Sequence, residues 1–249
     1  MTAPQRVALF VTCLVDQILP DIGVATVRLL RQAGYEVVFP EEQTCCGQPF
    51  FNSGFRKEAR ALAQRMIAIF EPYDRVVAPS GSCVTMVRAE FPHLFEDDPD
   101  WHERARRLAA KTYELSEFLV HVAGWQPPPQ RGDEPERVAR ITYHDSCHMN
   151  RLLHLKAEPR QLLRAAGYQI DEMRESDRCC GFGGLFSVRM PEVSNAMTEE
   201  KLRQAAEADA PTIVTCDPGC LMQMRGLASD NVHVEHLAVL LAGDRKKRE

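Results

Sequence analysis

Two stretches, Glu42–Gly54 (EQTCCGQPFFNSG) and Glu175–Ser187 (ESDRCCGFGGLFS), decide how this chain reads. Each carries a vicinal cysteine pair followed by glycine: Cys45-Cys46-Gly47 and Cys179-Cys180-Gly181. Outward from each pair the same spacing recurs. A lone cysteine precedes it, Cys13 in the first case and Cys147 in the second, both 32 residues before the pair. Another cysteine follows, Cys83 lying 37 residues after Cys46 and Cys220 lying 40 after Cys180. Other text repeats as well: Leu29–Tyr35 (LLRQAGY) matches Leu162–Tyr168 (LLRAAGY), and Glu114–Gly124 (ELSEFLVHVAG) echoes Val234–Gly243 (VEHLAVLLAG). One unit is therefore written twice, and repeats of this kind fix the architecture before any single motif does.

Within each copy, short apolar runs alternate with helical periodicity. Val7–Val11, Glu36–Phe39 and Arg75–Ala78 read as strands of the first unit. A helix from about Ile22 to Gln32, capped by Asp21 and stopped by Gly34, separates the first two. Lys57–Phe70 places Ala59, Leu62, Ala63, Met66, Ile67 and Phe70 on one helical stripe. The second unit repeats the order with Ala139–Tyr143, Pro159–Ala166, Gln169–Met173, Pro191–Ala208 and Thr212–Thr215. Strands separated by helices imply right-handed crossovers and a mainly parallel sheet in each unit. The expectation is an α/β protein of two tandem, pseudo-symmetric Rossmann-like repeats, residues 1–125 and 138–249. Between them Gln126–Arg137, with Pro127-Pro128-Pro129, Gly132 and Pro135, reads as a linker.

This topology says where the cysteines go. In a parallel sheet every strand-to-helix loop leaves from the carboxyl edge, where open α/β sheets bind their ligands. Cys13, Cys45-Cys46 and Cys83 each follow a strand, so four thiols far apart in sequence should gather in one crevice. Cys147, Cys179, Cys180 and Cys220 should do the same. Gly47 and Gly181 suit a tight turn beside a bulky group.

Composition bounds the chemistry. The 249 residues are 45% apolar, 26% charged and 7% aromatic, an ordinary globular balance with a net charge of −5. The one basic run, Arg245–Arg248, is short, so no nucleic-acid partner is expected. No apolar stretch approaches the roughly 18 residues a membrane helix needs, and Val7–Val15 lacks the cleavage site of a signal peptide. The expected location is the cytoplasm. There, nine cysteines point to metal binding or redox chemistry rather than disulfides. A soft sulfur donor set selects zinc, Cu(I) or iron–sulfur clusters. Structural zinc usually takes cysteines two residues apart, whereas adjacent cysteines chelate one ion poorly and more readily ligate different irons of a cluster. Iron–sulfur is favoured, with zinc as the alternative. Cys216 has no partner in the first copy and reads equally well as core. His144, Asp145 and His148 flank Cys147 as hydrogen-bonding or packing groups, and Gly181–Gly184 lacks the spacing of a nucleotide loop.

The duplicated pattern of a lone cysteine, Cys-Cys-Gly and a distal cysteine resembles the cysteine-rich (CCG) family. The cysteine-rich subunit of heterodisulfide reductase, glycolate oxidase iron–sulfur subunits and the lactate utilisation proteins belong to it. The resemblance to the lactate utilisation branch covers nearly the whole chain. It rests on the two stretches quoted first and on Ala78–Cys83 (APSGSC), Phe91–Asp98, Tyr143–Met149 (YHDSCHM) and Asp217–Met222 (DPGCLM). It implies an iron–sulfur subunit of a complex oxidising L-lactate to pyruvate. Each repeat would then hold one cluster of the [4Fe–4S] type, and the partners would be other iron–sulfur subunits. In the reductase each cysteine set ends in Cys-x-x-Cys; here Ser80 and Asp217 stand where the extra cysteine would be. Four-cysteine sites are thus implied, with Ser80, Asp217 or Cys216 as possible additional ligands. Two other readings remain: a zinc-stabilised scaffold, and a metal-free thiol–disulfide oxidoreductase acting through the vicinal pairs.

Overall fold

The computed structural model describes residues 5–128 and 139–243; the run Arg245–Arg248 and most of the expected linker lie outside them. The first sheet is built from β1 (Arg6–Leu9), β2 (Glu36–Val38), β3 (Val76–Ala78) and β4 (Thr112–Glu114). All its pairings are parallel, in the order β2-β1-β3-β4. Its helices are α1 (Cys13–Gln17), α2 (Pro20–Gln32), α3 (Gln48–Asn52), α4 (Arg56–Phe70), α5 (Gly81–Thr85), α6 (Phe91–Leu94), α7 (Pro99–Ala110) and α8 (Leu115–Glu117). Single π-helical turns, Met86–Glu90 and Phe118–Val122, extend α5 and α8.

The second sheet repeats the plan. It contains β5 (Arg140–Tyr143), β6 (Gln169–Ile170), β7 (Thr212–Thr215) and β8 (His233–His236), parallel throughout in the order β6-β5-β7-β8. Around it lie α9 (Cys147–Leu152), α10 (Ala157–Ala165), α11 (Leu185–Arg189), α12 (Pro191–Glu207), α13 (Pro218–Leu227) and α14 (Leu237–Ala242). Two tandem α/β repeats of Rossmann type are therefore present, each with its strand order reversing beside the first strand, the place where such sheets open a crevice.

Strand alternation explains how the halves join. Successive strand side chains point to opposite faces. In β1, Val7 and Leu9 enter a core shared with Leu29, Leu30, Leu115, Ile141, Tyr143, Leu237 and Leu240, drawn from both halves. Ala8 and, just past β1, Phe10 face a second core whose buried residues all come from the first half, among them Phe70, Val76, Phe91 and Phe95. Contacts of α14 with α2, of α5 with α9 and of α1 with α13 complete the junction. Among the described residues no helix is long and apolar enough to cross a membrane.

Several expectations shift. Asp21 does not cap α2: Pro20 occupies the first turn, Leu19 precedes it, and Asp21 lies inside that turn. Gly34 does close this helix with a left-handed φ of 89°. The expected strand Gln169–Met173 shrinks to Gln169–Ile170. Helix α7 and the fourth strand of each sheet are additions to the expected elements.

Candidate metal centres

All nine cysteines are free thiols, and eight of them fall into two matching chains of contact. In the first repeat Cys13 enters α1 directly after β1, while Cys45 and Cys46 sit in the loop after β2 and Cys83 opens α5 after β3. Cys13 Sγ lies 3.6 Å from Cys45 Sγ, and the Cys46 thiol reaches both Cys45 and Cys83. In the second repeat the Cys147 thiol reaches Cys179, Cys179 reaches Cys180, and Cys180 Sγ lies 3.1 Å from Cys220 Sγ. Burial follows the same pattern. The lone cysteine and the first of each pair are half-buried, and the other two are buried.

The backbone around each pair is held in place by named groups. Gln43 pins the first loop to β1: its side-chain oxygen accepts from Val11 N at 2.8 Å, and its amide donates to the carbonyls of Leu9 and Pro40. Gly47 N and Gly181 N each donate to the first sulfur of their pair, Cys45 and Cys179, at 3.4 Å. Their positive φ values, 83° and 95°, let these amides turn inward. At Gly181 a side chain is excluded by α12, because a Cβ there would stand 2.4 Å from the Ser194 carbonyl oxygen. The glycine is thus demanded by helix packing as well as by the turn.

Electrostatics inside each set is organised around one sulfur. Hydrogen bonds from Cys13 and Cys46, helped by the Gly47 amide, hold the Cys45 thiol far below its ordinary range. The partners Cys13 and Cys46 are pushed up, first by donating to Cys45 and then by burial. Cys179 is lowered and Cys147 and Cys180 raised for the same reasons. One thiolate per set, cradled by S–H and N–H donors, is the state these groups favour before any cation displaces the protons.

The additional candidates Ser80, Asp217 and Cys216 each make contacts within the protein. Ser80 and Asp217 occupy equivalent positions as N-caps of α5 and α13. Ser80 Oγ accepts from Cys83 N at 3.3 Å. Asp217 Oδ1 accepts from Gly219 N and Cys220 N, while its Oδ2 accepts from Ser82 N of the first repeat at 2.8 Å. One carboxylate thereby ties the loop bearing Cys220 to the loop bearing Cys83. Cys216 is fully buried and accepts from the Tyr143 hydroxyl at 3.1 Å, inside the shared core.

Residues near Cys147 divide in the same way. Asp145 forms a buried bidentate pair with Arg160 at 2.7 and 2.9 Å and accepts from Ser176 Oγ. His148 Nδ1 stands 3.8 Å from Cys147 Sγ. His144 has no exposed surface, and neither ring nitrogen makes a well-formed hydrogen bond, the Ser176 carbonyl being the nearby acceptor. Burial, with Lys201 nearby, drops its pKa to about 4. Ligand atoms of His144, Cys180 and Cys220 all lie within 4.8 Å of one another.

The sequence reading missed a polar stripe on α12. Ser194 Oγ donates to the Gly181 carbonyl, Thr198 Oγ1 to the Cys180 carbonyl, and buried Lys201 Nζ to the Glu175 carbonyl at 2.6 Å. On α4 the same spacing carries Ala59, Ala63 and Met66, all buried. Counting from the cysteine pairs does not align them, since Ser194 lies 14 residues after Cys180 and Ala59 lies 13 after Cys46.

The family model for the cysteine-rich domain matches twice, at residues 7–88 and 141–225. Lactate utilization protein A of Bacillus subtilis strain 168 is 46% identical over 241 residues, covering 95% of this chain and 98% of that protein. The chain belongs to the lactate utilization protein A family. Within it, the Halalkalibacterium halodurans protein of that name is 44% identical over 248 residues, covering 98% of this chain and 99% of its own length. A solved structure of a hypothetical protein from Helicobacter pylori superposes with a TM-score of 0.70 at 9% identity, covering 99% of this chain, which spans half of that one. At that identity the likeness concerns the fold alone.

Proposed function

We propose that this chain is an iron–sulfur subunit of a complex that oxidises L-lactate to pyruvate in the cytoplasm, working with other iron–sulfur subunits. Repeat one, residues 1–125, would hold its centre through Cys13, Cys45, Cys46 and Cys83. Repeat two, residues 138–249, would use Cys147, Cys179, Cys180 and Cys220, with Gln126–Arg137 joining them. The observation that carries this reading is the pair of matched four-thiol chains at the carboxyl edges of two parallel sheets, in a chain similar end to end to lactate utilization protein A.

The donor set fits a cluster. Four soft sulfurs converge in each repeat, and the vicinal pair offers two sulfurs better suited to different metal atoms than to one. Such a centre supplies one-electron uptake and release. The protein's own groups do the rest. Gly47 N–H and Gly181 N–H point at the half-exposed sulfurs, where donated hydrogen bonds offset negative charge. Buried Cys46, Cys83, Cys180 and Cys220 keep the inner side of each site away from water. The half-buried sulfurs Cys13, Cys45, Cys147 and Cys179 give the side through which electrons would pass to a partner.

The test is made on the assembled complex. Rapid mixing with L-lactate should bleach the visible absorption contributed by this subunit within the turnover time, and Cys45→Ser or Cys180→Ser should abolish both bleaching and lactate oxidation. A complex that oxidises lactate at full rate with both substitutions would refute the proposal.

A further inference from the structure

Sequence symmetry makes the two thiol sites look alike; their surroundings do not. Three residues before the lone cysteine, the first repeat has Phe10 and the second has His144. Both are fully buried. Phe10 stacks edge-on to Phe70, with ring centroids 5.7 Å apart, in an apolar core. His144 is anchored by its backbone, whose N–H donates to the Val214 carbonyl at 2.9 Å, yet neither ring nitrogen makes a well-formed hydrogen bond, the Ser176 carbonyl being a poorly aligned neighbour. A buried polar group without a good partner is costly, and native proteins leave few such groups unexplained. The ring nitrogen stands with two buried thiols, Cys180 and Cys220, inside a sphere of mutual distances no greater than 4.8 Å. Imidazole nitrogen and thiolate sulfur are the donors that zinc and iron–sulfur irons share.

We infer that the second centre is a mixed imidazole–thiolate site, with His144 giving a nitrogen donor beside Cys180 and Cys220, while the first centre takes sulfur alone. The inference deepens the proposed function, since it assumes that the thiol sets bind metal, but it does not depend on that metal being iron. A nitrogen donor accounts for the orphaned ring.

The probe is cadmium. Full-length, metal-stripped chain is loaded with 113Cd under anaerobic conditions and observed by 113Cd NMR, with histidine labelled by 15N. Unsubstituted protein should give two resonances, one in the all-thiolate region and one displaced upfield and split by a single 15N nucleus. His144→Phe, which installs the residue found in the first repeat, should remove the 15N splitting. It should also weaken cadmium binding at the second site on the order of 10–100-fold, with the first site unchanged. Should that variant misfold, His148→Phe decides the matter, because His148 Nδ1 stands 3.8 Å from Cys147 Sγ: the 15N splitting persists in it where His144 supplies the nitrogen and is lost where His148 does. Two all-thiolate resonances without 15N splitting, or an absent second resonance, would overturn the inference. Cadmium bound as stated by a protein that carries no iron when isolated from cells would leave the inference standing and refute the iron–sulfur reading.

Discussion

Alanine at Gly181 and alanine at Gly47 are the same substitution at equivalent points of the two repeats, and the structure predicts unequal costs. Both glycines have positive φ, 83° at Gly47 and 95° at Gly181, and forcing an L-residue there costs roughly 1–2 kcal/mol. At Gly47 the added Cβ meets only ordinary contacts, Leu62 Cβ at 3.4 Å and the Ala59 backbone at 3.5 Å. At Gly181 it meets the Ser194 carbonyl oxygen at 2.4 Å and Thr198 Oγ1 at 3.0 Å. A backbone carbonyl cannot rotate away as a flexible side chain can, so α12 must shift, adding overpacking strain of about 1–3 kcal/mol. Moving α12 also stretches the hydrogen bonds from Ser194 to Gly181 O and from Thr198 to Cys180 O. The expected totals are about 1–2 kcal/mol for Gly47→Ala and about 2–5 kcal/mol for Gly181→Ala. Urea unfolding of the metal-free chains reads the difference from the midpoints at constant slope. Metal content per chain after loading should fall further for Gly181→Ala. Equal midpoint shifts would refute the claim that helix packing, and not the turn alone, requires glycine at the second pair.

Other perturbations follow from the interior. Burial lifts the Glu114 carboxyl to about 7 against the hydrogen bonds it receives from Ser116. The native chain therefore binds a proton more tightly than the unfolded one, and stability should fall as pH rises from about 4.5 to about 7 and stay low above. Glu114→Gln should flatten that slope and raise stability at pH 8 by up to about 3 kcal/mol; an unchanged slope in denaturant titrations would contradict this. Asp217→Ala strips a cap and leaves Ser82 N, Gly219 N and Cys220 N without their acceptor, at a cost of about 2–4 kcal/mol. Ser80→Ala removes one capping bond at about 1 kcal/mol, and a reversal of that order in urea midpoints would be evidence against the inter-repeat tie. Cys216→Ala should leave metal content unchanged while destabilising the fold by about 1–3 kcal/mol through the orphaned Tyr143 hydroxyl. Adding Tyr143→Phe should recover part of that loss, and a strictly additive double variant would disprove the coupling.

Much of this architecture could be read from the chain because cysteine spacing and helix periodicity repeat. Equal distances from Cys13 to Cys45 and from Cys147 to Cys179, interrupted by helices, left few topologies other than a parallel sheet with its loops at one edge. The fourth strands escaped because they lack an apolar run: Thr112–Glu114 is polar at both ends, and His233–His236 is polar at three of its four positions. The shared core escaped for another reason: Val7 and Leu9 turn toward the other half while Ala8 turns away, and sequence does not say which face meets which partner. At the sites, the gathering of thiols followed from topology, but the difference between them did not. It rests on His144, Ser194, Thr198 and Lys201, single positions whose apolar counterparts are Phe10, Ala59, Ala63 and Met66. A polar residue at a core position looks like an exposed one until its burial is known.

Chemical analysis of the anaerobically isolated, full-length chain for iron, acid-labile sulfide and zinc, paired with EPR of the reduced protein, bears most directly on the central claim that each four-thiol set binds an inorganic redox centre. The account predicts iron and sulfide in near-equal amounts, sufficient for two centres per chain. It also predicts loss of one centre in Cys45→Ser and of the other in Cys180→Ser. Zinc alone, with neither sulfide nor an EPR signal, would contradict it.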